Sequence, residues 1–304
     1  MMTNNKGTIF RLLLWQWRNS LLFVGTATVV IAAREFLGFS WLELPALPMA
    51  ITGGALGIFV SFRTNSAYDR WWEGRKLWGR LINSSRHFAS QVMAYLKADG
   101  KQSPSALQRR LIERQIAYVH VLRCALRQQD PFQDGAVCQF VDKDETLRDE
   151  SNLNHALLQR QFDELSHWSE EKHFDEFRLS NFDITIRELL DIQGGCERIK
   201  KTPLPRGYGF IAERLIQYFS ALFPLTIAQE LVWWTIPVNL LVCMAFALIS
   251  EAGRVLEDPF TMFYNGLPLS SISRMIEVNL RQRMGEKPSE LPPMITPDEH
   301  GILM

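Results

Sequence analysis

The sequence predicts an all-α membrane protein in which four transmembrane helices join a helical cytoplasmic region. Three observations point there. The 304 residues are 47% hydrophobic and 22% charged, ordinary for a soluble chain, yet the apolar residues are bunched into uncharged runs of spanning length. Lysines and arginines collect on one side of those runs. Between the second and third runs, apolar residues recur at helical spacing, and no strand-rich region, internal repeat or low-complexity segment appears.

The first candidate span, "SLLFVGTATVVIAA" at 20–33, is short unless it borrows the upstream "LLLWQW", which sets Trp15, Trp17 and Arg18 at the interface. Arg11 and Arg18 before a short apolar core would also suit a cleaved signal peptide, but the later runs require a membrane by themselves. The second span is "PALPMAITGGALGIFVSF" at 45–62. Residues 215–250 are uncharged apart from Glu230. As one helix that run would be about 54 Å long against a bilayer core of about 30 Å, so two antiparallel spans with a turn near Glu230 fit better. Lys6, Arg11 and Arg18 precede span one, and Arg63, Arg70, Arg75, Lys76 and Arg80 follow span two. Arg206 and Arg214 precede span three and Arg254 follows span four, whereas "REFLGFSWLELP" carries one arginine and two glutamates. The bias puts both termini on the cytoplasmic side of a cell inner (plasma) membrane. The expected division is 1–63 with spans one and two, 64–210 cytoplasmic, 211–250 with spans three and four, and 251–304 cytoplasmic.

Within the cytoplasmic region, 105–129 places Leu107, Leu111, Ile116, Val119 and Leu122 among basic and glutamine positions, the pattern of a packing helix. "NHALLQRQFDELSHWSEEKHF" and "NFDITIRELLDIQGGCERI" give two more, the latter passing into Gly194 and Gly195. The intervening Pro, Gly and acidic residues read as a loop with a short helix. After span four come an aspartate-proline turn, an amphipathic helix near 269–283 and an extended proline-rich tail.

Catalytic patterns are weak, and no enzyme activity is expected. The histidines His87, His120, His155, His167, His173 and His300 form no metal-binding pair, and no phosphate-binding glycine motif occurs. Cys124, Cys138, Cys196 and Cys243 lack metal or disulfide spacing, so no metal site and no cofactor are expected. Equal counts of 33 acids and 33 bases leave no basic stripe for nucleic acid. Asp69 and Glu73 stand at i,i+4, with Arg70, Lys76 and Arg80 near enough to neutralise them, so a structural ion-pair network outweighs acid/base chemistry. Gly53, Gly54 and Gly57 read as close-packing glycines of an apolar helix.

"GALGIFVSFRTNSAYDRWWEGRKLWGRLINSSR", residues 54–86, passes from apolar to charged without a helix breaker. On such a helix Gly54, Ile58 and Phe62 form one stripe, continued by Asn65, Ser66 and Asp69. Several copies around an axis would make that stripe the lining of a tube. Rings of Ile58 and Phe62 would then form an apolar constriction that gates by dewetting, with polar atoms below it for a rehydrating ion. By periodicity alone, packing of Ile58 and Phe62 against helices of their own subunit is the commoner outcome.

This same stretch resembles the second-span signature of the bestrophins and their bacterial relatives, "GCERIKKTPLP" at 195–205 resembles the motif before their third span, and "LEDPF" at 256–260 the segment after their fourth. The resemblance implies a homopentameric channel for monovalent ions, set in membrane lipid, with a hydrophobic neck and a second constriction at its cytoplasmic mouth. It carries the neck rings onto Gly54, Ile58 and Phe62, the glycine departing from the family's bulky residue, and counting back from "GCERI" puts the cytoplasmic aperture at Phe177, beside Leu179. Animal members bind calcium through acids after the fourth-span "PF"; here no acid lies between Pro259 and Ser270, so calcium should be unnecessary. Glu257 and Asp258 would instead cap the following turn or pair with Arg254. Bacterial members favour sodium and potassium by likeness and animal members favour chloride, while the neck itself has no charged ring to decide. A non-conducting membrane-anchored scaffold, with exposed apolar faces on the 105–190 helices, is the alternative of a different class.

Overall fold

A computed structural model of the chain describes residues 15–39, 41, 43–96, 105–141, 145–263, 265–298 and 303, with Glu145, Arg206 and Tyr208 described as backbone alone. Lys6, Arg11 and His300 lie outside the described residues. Among the described residues the regular structure is helical, without strands. In chain order the helices are α1 (Trp17–Leu37), α2 (Ala46–Tyr95), α3 (Ala106–Arg127), α4 (Gly135–Phe140), α5 (Leu153–Glu170), α6 (Glu176–Lys201), α7 (Arg206–Leu222), α8 (Pro224–Leu231), α9 (Thr235–Leu256) and α10 (Leu269–Arg283). The chain divides into a unit of Asn5–Trp71 with Pro203–Glu257, and a unit of Met1–Asn4, Trp72–Thr202 and Asp258–Met304.

The first unit holds the apolar runs. Trp17–Leu37, Ala46–Tyr95 and Gly209–Leu256 are long and apolar enough to cross a membrane. α1 does extend upstream of residue 20, to Trp17, and it closes at Gly38, whose left-handed φ of 66° lets its N–H reach the Ala33 carbonyl. Within 209–256 the helix breaks at Phe223 before Pro224, and again at Val232, whose φ of 42° opens a 3₁₀ turn over Val232–Trp234 beside Glu230. α9 then runs back along α7. Asn239 reaches the Ser220 carbonyl near the end of α7, while Ser250, three turns on, bonds Arg63, and the Arg63 guanidinium lies 2.9 Å from where a Cβ on Gly209, at the start of α7, would stand.

The core of this unit joins Phe23 of α1, Leu56 and Val60 of α2, Ile216 and Phe219 of α7, and Cys243 and Met244 of α9. One polar knot pins it. Asn239 Nδ2 donates to the Phe23 carbonyl at 2.7 Å, and Thr26 Oγ1 donates to the Ser220 carbonyl at 2.9 Å. Interhelical bonds of this kind in hydrocarbon contribute roughly 0.6–2 kcal/mol and fix rotation as well as contact. The three glycines of α2 divide: a Cβ on Gly53 would stand 3.1 Å from the Phe219 ring and one on Gly57 3.5 Å from Phe246, but one on Gly54 would meet nothing within 4 Å. Close packing therefore explains Gly53 and Gly57, not Gly54.

In the second unit the later turns of α2 pack with α3, α6 and α10, and α5 packs on α3 and α6. Trp78, Leu81 and Phe88 of α2, Leu111, Ile116 and Val119 of α3, Phe182 and Leu189 of α6 and Ile276 and Leu280 of α10 are fully buried. Ser105 starts α3 with a reciprocal capping box to Gln108. α6 begins at Glu176, earlier than the expected 181, because Asp175 caps it by accepting the Arg178 N–H at 2.9 Å. It continues unbroken through Gly194 and Gly195. Burial of the α3 stripe leaves α3 without the exposed apolar face that the scaffold alternative expects of the 105–190 helices, while α6 exposes Phe177, Ile184 and Leu190.

Candidate functional site

Helix α2 presents two faces in the first unit. Met49, Leu56, Val60, Arg63 and Ala67 recur at helical spacing and are buried. Opposite them Gly54, Ile58, Phe62, Asn65, Ser66 and Asp69 are all exposed, Ile58 at 60% and Phe62 at 68%. The stripe thus does not pack into its own unit. Apolar exposure alone is shared with Val29 on α1 and Leu241 on α9, as expected of surfaces turned to hydrocarbon. What separates the α2 stripe is its continuation into polar residues. Ser66 Oγ returns to the Phe62 carbonyl at 3.0 Å, while Asn65 and Asp69 have no hydrogen-bond or ion-pair partner among the described residues. From Gly54 to Asp69 the stripe runs about 22 Å at 1.5 Å per residue.

The expected network of Asp69, Arg70 and Glu73 does not form as a unit. Arg70 Nε donates to the Glu257 carbonyl at 2.8 Å, at the C-terminal end of α9 where a cation complements the helix dipole. Glu73 is taken by Arg198 of α6. Arg80 forms a two-pronged pair with Glu188, both N–H···O distances 2.8 Å, and that hydrogen bond holds the Glu188 carboxyl below its usual range. The reason is direction: successive side chains diverge by about 100° around the helix, so each partner is chosen by the element it faces.

A different arginine holds the polar interior of this unit. Arg63, with 7% of its side chain exposed, donates through Nη1 to Ser250 Oγ at 3.0 Å and sets Nη2 3.7 Å from Glu257 Oε2. Beside it Thr64 Oγ1 donates to the Ile249 carbonyl at 3.0 Å, and Gly253 leaves room for Thr64, whose Oγ1 would lie 3.0 Å from an added Cβ. These contacts seat the stripe-bearing helix against α9. In the sequence Arg63 marks only the topology of the second span; its signal is its place one residue beyond a stripe member, on the buried face.

In the second unit the quoted motif segments converge. A Cβ on Gly74 would stand 3.0 Å from Pro259, and one on Gly195 would stand 2.9 Å from Leu77. Lys200 Nζ reaches Asp258 Oδ2 at 2.6 Å, and Asp258 Oδ1 accepts the Phe260 N–H at 3.1 Å. Asp258 does cap the turn, but its ion-pair partner is Lys200, while Arg254 pairs with Glu251. Phe177 sits in the first turn of α6 and is 85% exposed, with Leu179 half-buried beside it.

The profile of the bacterial and fungal bestrophin family matches residues 1–282. A voltage-dependent anion channel-forming protein of Mesorhizobium japonicum is 30% identical over 276 residues, 89% of this chain and 85% of that protein. One of the same name from Escherichia coli is 31% identical over 264 residues, 83% of this chain and 81% of that protein. The crystal structure of a bacterial bestrophin homologue from Klebsiella pneumoniae superposes with a TM-score of 0.80 at 28% identity, covering 92% of this chain and 99% of that one. The resemblance carried by the three motifs thus extends over nearly the whole chain, which is a membrane protein of the bacterial and fungal bestrophin family.

Proposed function

We propose that the chain is one subunit of a homopentameric ion channel that crosses the cell inner membrane four times with both termini cytoplasmic. The four crossings would be α1, the first part of α2, α7 with α8, and α9. The observation that carries the reading is the α2 stripe: six exposed positions, apolar at Ile58 and Phe62 and polar from Asn65 to Asp69, turned away from the core of their own unit. Around an axis, Gly54, Ile58 and Phe62 would form the neck and Asn65, Ser66 and Asp69 the lining below it, with Phe177 at a second constriction. Such a neck stops hydrated ions by dewetting and does not choose their charge.

The relatives named above are called anion channel-forming proteins, and those names favour monovalent anions over the sodium and potassium expected from likeness to bacterial members. The cation reading keeps one observation, the exposed and unpartnered Asp69, since a ring of carboxylates below the neck would attract cations. Mass determination in detergent and reversal potentials in asymmetric potassium chloride bilayers, with and without a calcium chelator, test the proposal. Five subunits and a saturable single-channel current support it. A monomer, or liposomes impermeable to every monovalent ion, would overturn it. Reversal near the chloride or near the potassium equilibrium value assigns the charge.

A further inference from the structure

Two adjoining cavities in the second unit, formed by α3, α4 and α10, are lined by arginines whose donors are left over. One, of about 350 Å³, is bordered by His120, Arg123, Asp134, Ser270 and Arg274; the other, of about 400 Å³, shares Arg123, Asp134 and Ser270 and adds Arg127. Arg127 Nη1 donates to Ser270 Oγ at 2.7 Å, which fixes the guanidinium plane, yet its Nε and Nη2 are buried without partners. Arg123 Nε and Arg274 Nε are in the same condition. Buried donors without acceptors are costly, and three neighbouring arginines showing them beside adjoining cavities is a pattern that an absent acceptor explains.

The acids nearby are already engaged. Asp134 gives Oδ2 to Arg123 and Oδ1 to the Ala136 and Val137 N–H groups. Glu277 takes His120 Nε2 at 3.1 Å, Arg274 at 3.2 Å and Arg281 at 3.3 Å. Asp130, which borders the second cavity, accepts the Phe132 N–H at 3.0 Å, and none of the three acids supplies Arg127. Burial first, and then the neighbouring Arg123, pull the Arg127 guanidinium down to about 10, a burden that an incoming anion would relieve.

We propose that these cavities are a binding site for a tetrahedral oxyanion of the phosphate class, held side-on by Arg127 and completed by Arg123 and Arg274. The free atoms of Arg127 select the class. Nε–H and Nη2–H lie along one edge of the guanidinium and match two oxygens of a phosphate or sulfate, a geometry a spherical halide cannot use. The site lies outside the proposed pore residues and does not rest on conduction.

The test is isothermal titration of the purified full-length chain in detergent with inorganic phosphate, and with chloride for comparison. Saturable phosphate binding that Arg127→Gln weakens at least tenfold is the expected result, with Arg127→Lys weakened several-fold because it keeps the charge and loses the fork. Arg187→Gln, an exposed arginine elsewhere on α6, should leave binding unchanged. Size exclusion and circular dichroism establish that each variant is folded, and if Arg127→Gln is not, Arg127→Lys and Ser270→Ala carry the comparison. Titration with glycerol phosphate and with phosphatidic acid vesicles then separates a soluble phosphate ester from a lipid headgroup, saturation by either supporting the site. Absence of saturable phosphate binding, equal binding of chloride, or wild-type affinity in folded Arg127 variants would overturn the proposal.

Discussion

Replacing both Ile58 and Phe62 with alanine separates the two surfaces that an exposed apolar residue of this protein could face. Full burial of an isoleucine or phenylalanine contributes about 1.5–3 kcal/mol. Within the chain Ile58 is 60% and Phe62 68% exposed, so less than half of each side chain takes part in the fold. Truncation should therefore cost the subunit only about 1 kcal/mol per site, too little to unfold it. If the two rings dewet a neck, the same change removes apolar wall where an ion must pass, and lowering the barrier by only about 1.4 kcal/mol raises flux tenfold. Potassium and chloride efflux from liposomes is the assay, with assembly size and melting temperature measured on the same preparation. Val29→Ala and Leu241→Ala supply the control, since these residues are as exposed as Phe62 but lie on α1 and α9, off the stripe. Flux should rise in the double variant and stay constant in the controls. Unchanged or reduced flux in an intact assembly would refute the assignment and turn the stripe toward lipid or a neighbouring subunit.

Arg63→Ala leaves Ser250 and Glu257 without their buried partner and should destabilise the protein by about 3 kcal/mol, more than Arg70→Ala, whose half-buried side chain reaches the Glu257 carbonyl. Thermal unfolding in detergent ranks the pair, and a larger loss from Arg70 would contradict the geometry. Gly195→Ala drives a methyl against Leu77, 2.9 Å away, at a cost of about 1–3 kcal/mol, and Leu77→Ala in the same chain should recover part of that stability. Burial pushes the Glu277 carboxyl up, but the His120 bond and charge with Arg274 and Arg281 outweigh it and leave the group below its ordinary range. Its contribution is then present above about pH 4.3, the unfolded value, and is lost as pH falls toward the lower folded value. Melting curves between pH 7 and pH 3 should show a steeper acid loss in the wild type than in Glu277→Gln.

The helices were legible because their apolar residues repeat at 3.6. The amphipathic stretch near 269–283 is α10, and the stripe of Leu107, Leu111, Ile116, Val119 and Leu122 is the buried face of α3. The early start of α6 was legible in principle, since Asp175 is a capping residue, but the apolar pattern that begins at Phe182 drew the boundary downstream. Partner choice among charges was not legible. Glu73 lies close in sequence to Arg70, Lys76 and Arg80, yet it pairs with Arg198, because an interaction between elements outweighs a spacing rule worth a few tenths of a kcal/mol. Asn239 was hidden for the opposite reason: an uncharged run on paper does not show that one amide inside it joins three helices. The cavity arginines, too, were spread over α3 and α10, and only folding brings them to the borders of two adjoining cavities.

Gly54 provides a last test, because it is the one position of the proposed neck without a side chain. Nothing lies within 4 Å of a Cβ built there, and its φ is helical, so Gly54→Leu fits the subunit and should stabilise α2 by about 0.5–1 kcal/mol through the unfolded chain. On an axis, the new side chains would add a third apolar ring one turn above Ile58 and narrow the neck, reducing flux through an assembly of unchanged size. Facing lipid, they would leave flux as it was. Seated against a neighbouring subunit that approaches closely at glycine, they would break the assembly, as bulky residues do at small-residue contacts. Efflux and mass measured together distinguish the three outcomes, and only reduced efflux from an intact assembly agrees with Gly54 as the first position of the neck.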